Sequence, residues 1–314
     1  MKIKKEYIIL TAIIAALSIY LLKRQNSNMH YSLPELEKIS KKNITKIIIT
    51  KADSEITLLK KGDKWVITPQ NFPANNDAAG EMEDEISSLT ITDLVSESKN
   101  DILYDLNKEK RIEVSVYKGD ELLRKIEIGK LASSYRHTFL KVEKDDRVFH
   151  AQGDLASTFN KTVSDLRDKT VMAFESEEIT EVLLTKGNKK LTIVKSSVPD
   201  SIDLNKEKTE TKQKILQRWV TNNGESVNET EIEEIIKTLS NLMCDSFVED
   251  KTKNDFKNPV FSISLKGVKE YSISLFEKTD DKYPAISSET EYPFHISEWS
   301  AERFMKELET LKKN

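Results

Sequence analysis

The sequence predicts an α+β fold in which an N-terminal transmembrane helix precedes two tandem repeats of mainly antiparallel sheet with packed helices. Three observations carry this prediction. Residues 7–22 are uncharged, the rest of the chain presents one order of apolar landmarks twice, and short runs of alternating apolar residues are joined by polar turns. Such alternation is typical of half-buried strands, and short turns favour antiparallel pairing.

Residues 7–22 are the first predicted element, a single membrane span. These sixteen residues reach about 24 Å as a helix, and basic side chains on both flanks extend that reach toward the ~30 Å hydrocarbon core. No small-residue cleavage motif follows Leu22. An uncleaved anchor is therefore favoured over a cleaved signal peptide or a buried core helix.

The charges around the span predict its orientation. Three lysines and the terminal amine precede it, and Lys23 and Arg24 follow it. An excess of positive charge marks the cytoplasmic side. We expect a single-pass protein of the cytoplasmic membrane with its N-terminus in the cytoplasm, its soluble part outside, and residues 25–42 as a polar tether.

Each repeat opens with a predicted hairpin and a tryptophan segment. Residues 44–50 (ITKIIIT) match residues 179–185 (ITEVLLT), and Trp65 then matches Trp219. The spacing between matched residues grows from 135 to 154 in this interval. The second copy therefore carries a polar insertion at about residues 196–214, which we predict to be a mobile loop.

A helix follows each tryptophan segment. Asn76 and Asp77 are the predicted N-caps of the first helix, and Asn228, with Glu231 three residues on, caps the second. Apolar residues at helical spacing give each helix one buried face. The predicted faces are Ala79, Met82, Ile86 and Leu89 in the first helix, and Ile232, Ile235, Ile236, Leu239 and Met243 in the second.

Further strands and a terminal helix complete each copy, in the order β-β-α-β-β-β-β-α. The last strands end at His150 and His295, at equivalent places. The terminal helices are predicted to bury Leu155, Phe159 and Val163 in the first copy, and Trp299, Phe304 and Leu308 in the second. The predicted segments are an anchor (1–24), a tether (25–42), a first module (43–165), a junction (166–175) and a second module (176–314).

Four short segments together resemble the domain of unknown function 4340 family. They are Trp65-Val66, Tyr104-Asp105-Leu106, Ile128-Gly129-Lys130 and Leu166-Arg167-Asp168-Lys169-Thr170, and the resemblance covers nearly all of residues 44–314. At Asp105 the family usually has glycine. The resemblance implies a bacterial, membrane-anchored protein outside the cytoplasm, often associated with ABC transporter auxiliary components similar to those of gliding-motility systems. It implies no catalytic residues.

Composition and motifs argue against several functional classes. The net charge of −4 argues against nucleic-acid binding, which needs a basic face. Cys244 is the single cysteine, so no intrachain disulfide or thiolate metal cage forms. The closest glycines, Gly119 and Gly129, are ten residues apart, which excludes the Gly-rich dinucleotide, P-loop and nucleophile-elbow motifs. We predict no catalytic residue, no cofactor, no metal site and no enzyme.

Six residues remain as structural or interaction candidates. Trp65 and Trp219 are interpreted as packing over neighbouring helices, with stacking on sugars or bases as the alternative. His150 and His295 are interpreted as local hydrogen-bonding groups at strand ends, with a symmetric ligand pair as the alternative. Arg167-Asp168 lies in the junction, where an arginine with bidentate contacts is predicted to fix the angle between the repeats.

Three functional hypotheses follow. The first is a non-enzymatic, membrane-anchored accessory or interaction protein outside the cytoplasm, for which the resemblance implies an ABC-type transport system and its subunits as partners. The second is a ligand- or glycan-binding receptor that uses the groove between the repeats. The third, an envelope hydrolase, has no supporting constellation in the sequence.

Overall fold

The computed structural model describes residues 13–20, 31–199 and 215–313. The rest of the predicted membrane span, residues 7–12 and 21–22, lies outside these ranges. Residues 13–20 are helical. Within the described ranges, no helix is long and apolar enough to cross a membrane.

The chain divides into two compact units, Met1–Val163 and Ser164–Asn314. Each is built on one large antiparallel sheet, and the described helices are few and short. The predicted antiparallel sheets are therefore confirmed, in a protein that is mainly β.

Residues 31–163 of the first unit contain a nine-stranded sheet and two α-helices. Its elements are β1 (Lys46–Lys51), β2 (Ser54–Lys61), β3 (Lys64–Thr68), β4 (Phe72–Pro73), α1 (Asn76–Ser88), β5 (Ile91–Ser96), β6 (Ile112–Lys118), β7 (Glu121–Leu131), β8 (His137–Val142), β9 (Asp145–Gln152) and α2 (Leu155–Phe159). The strand order is β4-β3-β2-β1-β6-β7-β8-β9-β5.

The second unit contains an eight-stranded sheet, a two-stranded sheet and short helices. The short helix α3 (Val163–Leu166) lies at the division between the units. The remaining elements are β10 (Thr170–Ala173), β11 (Glu181–Lys186), β12 (Lys189–Pro199), β13 (Ile215–Thr221), α4 (Glu229–Leu239), β14 (Asn241–Met243), β15 (Ser246–Phe247), β16 (Phe261–Lys266), β17 (Glu270–Leu275), β18 (Lys282–Ser287), β19 (Phe294–Ser297) and α5 (Glu298–Glu302). The large sheet runs β13-β12-β11-β16-β17-β18-β19-β15, and β10 pairs with β14.

The two large sheets have the same strand order once β4 is set aside. In each, the strand that follows the long helix, β5 or β15, lies at the edge beside the last strand, β9 or β19. The opening hairpins share their register: Ile47 pairs with Leu58, and Val182 pairs with Ile193. Each of these residues is buried, because alternate side chains turn to the core face of the sheet.

The long helices pack the faces that their spacing predicts. Ala79, Met82 and Ile86 are buried in α1, and the four predicted isoleucine and leucine residues are buried in α4. The first N-cap is Asn75, one residue earlier than predicted, and its Oδ1 accepts bonds from the N–H groups of Asp77 and Ala78. Asn76 instead accepts a bond from the Trp65 N–H at 3.0 Å.

Two predicted core residues are exposed. Helix α4 ends at Leu239, so Met243 lies on β14, where it faces away from the core. Trp299 in α5 is 70% exposed, and the core positions of this segment are Phe304 and Leu308.

The predicted junction is part of the second unit. Strand β10 pairs with β14, and Val171 and Met172 belong to the core of that unit. The pairing partner lies about 70 residues further along the chain, so no local pattern indicates this strand. Strands β8 and β18 were also missed by the sequence pattern.

The predicted tether and insertion are partly ordered against the first and second sheets. Ile39 is buried, and Arg124 donates a bond to the carbonyl of Glu37. Residues 196–199 continue β12 and pair with residues 215–218, so the expectation of a loop is wrong for that part. Residues 200–214 lie outside the described ranges.

Candidate functional site

Each copy places a lysine over a tryptophan on the neighbouring strand. Lys60 on β2 pairs with Trp65 on β3, and Lys195 on β12 pairs with Trp219 on β13. The Lys60 Nζ lies 5.3 Å from the centre of the Trp65 ring, and the Lys195 Nζ lies 5.5 Å from that of Trp219. Both indoles are almost fully buried, at 2% and 4% exposed. The cation–π attraction between each lysine and its buried indole ring holds the two lysines at equivalent positions in the two units.

The long helix contacts the tryptophan strand in each copy. Helices α1 and α4 follow the N-caps Asn75 and Asn228, and their buried positions recur at the same spacing after the cap. The buried residues are Ala79, Met82, Glu83 and Ile86 in α1, and Ile232, Ile235, Ile236 and Leu239 in α4. Glu83 of the first copy therefore corresponds to Ile236 of the second.

In the first copy, a carboxylate of α1 occupies the place beside the lysine. The Lys60 Nζ donates to the Glu83 Oε1 at 2.7 Å, and both side chains are largely buried. The next helix residue, Asp84, pairs with Lys41 on the 3₁₀ turn before β1. The Lys41–Asp84 pair is exposed, whereas Glu83 is buried, and a buried charge is tolerated when it is paired as Glu83 is with Lys60. The chain thus fills the place beside Lys60 with its own carboxylate.

In the second copy, the corresponding place is a cleft. Both carboxylates are replaced, because Ile236 stands for Glu83 and Lys237 for Asp84, and Ser176 takes the place of Lys41. The cleft has a volume of roughly 610 Å³. It is lined by Phe174, Glu175, Ser176, Glu177, Lys195, Trp219, Glu233, Ile236, Lys237 and Ser240.

The charges of the cleft are not paired with one another. In the described part of the second unit, no ion pair joins Lys195 or Lys237 to a carboxylate. The three glutamates that line the cleft are exposed: Glu175 and Glu177 lie in the turn before β11, and Glu233 lies on α4. Ile236 and Trp219 are buried and form its apolar floor. The cleft can therefore receive a group that has a carboxylate, hydrogen-bond donors and some apolar surface.

Two other cavities differ from the cleft because residues that line them form ion pairs with each other. A cavity of roughly 280 Å³ in the first unit is lined by charged side chains that bind each other, such as Lys141 with Asp101 at 2.7 Å. A third, of roughly 640 Å³ in the second unit, lies beside the paired Lys312 and Glu225, 2.8 Å apart. In both cavities, lining charges of opposite sign pair with each other.

His150 lies on β9 among aromatic rings of the first unit. Its ring stacks on that of His137, with centres 5.3 Å apart, and lies 5.0 Å from Phe139. Burial lowers the pKa of His150, the neighbouring His137 lowers it further, and Asp93 on the adjacent strand opposes this.

His295 has the equivalent place on β19 of the second unit. It pairs with Ser246 on β15, as His150 pairs with Asp93 on β5. Burial lowers the pKa of His295, and the nearby Lys282 lowers it further. Among the described residues, no group of three or more histidine, cysteine or acidic side chains is placed to hold a metal ion.

Arg167 is packed inside the second unit. Its guanidinium carbon lies 3.6 Å from the ring centre of Phe247 and 4.4 Å from that of Tyr292, and the side chain is buried. Burial lowers the pKa of Arg167. The carboxylate of Asp168 accepts a bond from the N–H of Thr170 at 2.9 Å.

Of the six candidates, only Trp219 lines the cleft. Sequence reasoning missed Lys195, Lys237 and the glutamates around them, because lysine and glutamate are common surface residues with no spacing of their own. A signal was present in the repeat itself. Aligning the two helices from their N-caps shows an acidic pair in α1 replaced by Ile236 and Lys237.

A family model described as "Domain of unknown function (DUF4340)" matches residues 65–259, which is more than half of the chain. The chain belongs to the DUF4340 family. The DUF4340 match begins at Trp65 on β3 and ends before β16, so it includes the cleft and is narrower than the resemblance seen over residues 44–314. No curated protein and no solved structure matches the chain.

Proposed function

We propose that this DUF4340 protein is a non-enzymatic, membrane-anchored accessory protein that acts outside the cytoplasm through contacts with a protein partner. Its partner is proposed to be a subunit of an ABC-type transport system. A single span forms no transport pathway, so the role of the anchor is to hold the two β units beside the membrane and their partner.

The observation that carries the proposal is the uncharged run at residues 7–22. In its described part, residues 13–20, Ile13, Ile14, Leu17 and Tyr20 are helical and 51–60% exposed. Apolar side chains left on the outside of a helix are stabilised by burial in lipid. Basic residues on both flanks suit the two membrane surfaces.

Binding through sheet edges or clefts is consistent with the architecture. Each large sheet has one two-residue strand at an edge, β4 in the first unit and β15 in the second, and sheet edges are common sites for pairing with a partner strand. The association with an ABC transporter is supported by the family resemblance and has its own test below.

Membrane attachment is tested by alkaline carbonate washing of cells that express the full chain. The full chain is expected to stay in the membrane pellet. A matched chain that begins at Tyr31 is expected in the supernatant. Release of the full chain by carbonate would overturn the anchor. Protease added to spheroplasts tests orientation, and it should digest the two β units only if they lie outside.

The partner is tested by cross-linking in intact cells before solubilisation. ABC transporter permease or ATPase subunits are expected in the cross-linked species of the full chain and not in those of the chain that begins at Tyr31. Equal recovery of these subunits with both chains would contradict the proposed association.

A further inference from the structure

We propose that the cleft of the second unit binds a partner polypeptide through a carboxylate side chain that replaces the missing Glu83 equivalent beside Lys195. The inference rests on the proposed interaction function and names the chemistry of the contact.

The first copy shows which side chain occupies the equivalent place beside its lysine and tryptophan. There the lysine over the tryptophan receives the Glu83 carboxylate at 2.7 Å, and Asp84 pairs with Lys41. In the second copy the lysine keeps its place over Trp219 at 5.5 Å, but the helix offers Ile236 and Lys237 instead. Lys195 therefore faces an open volume where the first copy has the Glu83 carboxylate, and Lys237 stands at the position of Asp84.

The glutamates around the cleft define the rest of the occupant. Glu175 and Glu177 lie on the turn before β11, and Glu233 lies one helical turn before Lys237. A purely acidic segment would be repelled by these three carboxylates. A segment with a basic residue close to the acidic one can place its acidic side chain beside the lysines of the cleft and its basic side chain beside the glutamates.

The volume of the cleft suits a few side chains. At roughly 610 Å³ it is within the range of sites that bury a ligand of several residues' bulk. The buried floor of Trp219 and Ile236 offers apolar contact between the two charged sides. An acidic, an apolar and a basic residue in succession fulfil all three requirements.

The test is fluorescence anisotropy with the full chain in detergent and a fluorescein-labelled hexapeptide that contains glutamate, leucine and lysine in succession. Saturable binding is expected. A peptide with glutamine in place of glutamate is expected to bind roughly tenfold more weakly, because a charge-assisted hydrogen bond is lost. The variant Lys195→Gln is expected to weaken the binding of the glutamate peptide by a similar factor.

The matched control is the double variant Lys60→Gln and Glu83→Gln, which removes the equivalent pair of the first copy and should bind the peptide as the parent does. No saturable binding of the glutamate peptide, or equal binding by Lys195→Gln, would overturn the proposal. Binding of free L-glutamate as tightly as the peptide would also overturn it, because the occupant would then be a small molecule. Membrane retention is measured separately, so the two proposals fail independently.

Discussion

At the scale of single residues, Gly129 on β7 shows why one position accepts no side chain. A Cβ added there would lie 2.2 Å from the carbonyl oxygen of Tyr104 and 3.0 Å from the Cγ of Leu106. Asp105, between those two residues, has a φ of +54°. That left-handed backbone favours glycine, which accounts for the glycine that the family resemblance implies at this place.

Gly129→Ala is expected to lower the free energy of unfolding by about 3 kcal/mol, since the backbone of the facing turn must move. The measurement is urea unfolding. Gly80→Ala is the control. Gly80 lies in α1 with no atom within 4 Å of an added Cβ, so alanine should stabilise the helix by about 0.5–1 kcal/mol. Equal effects of the two changes would contradict the crowding at Gly129.

The histidines His150 and His295 predict how stability depends on pH. Their pKa values are lowered in the folded protein, chiefly by burial. The unfolded chain therefore binds protons more readily as pH falls through the ordinary histidine value of about 6.5, and stability is lost below it. The urea midpoint is expected to be lower at pH 5.5 than at pH 7.5. His150→Gln combined with His295→Gln should flatten this dependence, and an unchanged slope would contradict it.

At the scale of elements, helices α1 and α4 predict that the first copy's ion pair can be rebuilt in the second. Ile236→Glu places a carboxylate where Glu83 lies beside Lys60. The loss in free energy of unfolding caused by Ile236→Glu is expected to be about 1 kcal/mol larger in the Lys195→Met variant than in the parent. In that variant the new carboxylate lacks its lysine partner. Urea unfolding of the single and double variants measures this coupling. Additive losses would show that the two helices do not cover equivalent places.

The hairpin β12–β13 predicts the effect of removing the insertion. Ser196 pairs with Arg218, as Lys61 pairs with Lys64 across the two-residue turn of the first copy. Replacing residues 197–217 with glycine and aspartate, the turn residues of the first copy, should change the free energy of unfolding by about 1 kcal/mol or less. A cooperative loss of folding in a thermal melt would show that the removed residues support the core.

The elements that sequence reasoning found are those with local signals. Hairpins of β-branched residues and helices with one apolar face were predicted close to their observed bounds. Strands β10 and β14 were missed because they pair across about 70 residues. The cleft was missed for a different reason. It results from a difference between two similar copies, so only a residue-by-residue comparison of Glu83 with Ile236 indicates it.

At the scale of the whole molecule, the segment before β1 sets where the first unit begins. Ile39 and Ile44 are buried, and Arg124 binds the carbonyl of Glu37. A chain that begins at Tyr31 is expected to unfold cooperatively. One that begins at Asn43 should lose about 2 kcal/mol or more, because it leaves Arg124 without that acceptor and uncovers apolar surface. Thermal melts of the two chains compare them, and equal midpoints would contradict the packing of this segment.

The matched strand order of the two sheets also has a consequence for how the chain folds during synthesis. Among the described strands, the edge strand β5 or β15 of each unit pairs with the last strand of its sheet and with no other. Neither sheet can be finished until its final strand has left the ribosome. Because the first unit is complete at Val163, it can close before the strands of the second emerge. That order of closure protects two sheets of equal topology from exchanging hairpins, an error to which repeated domains are prone.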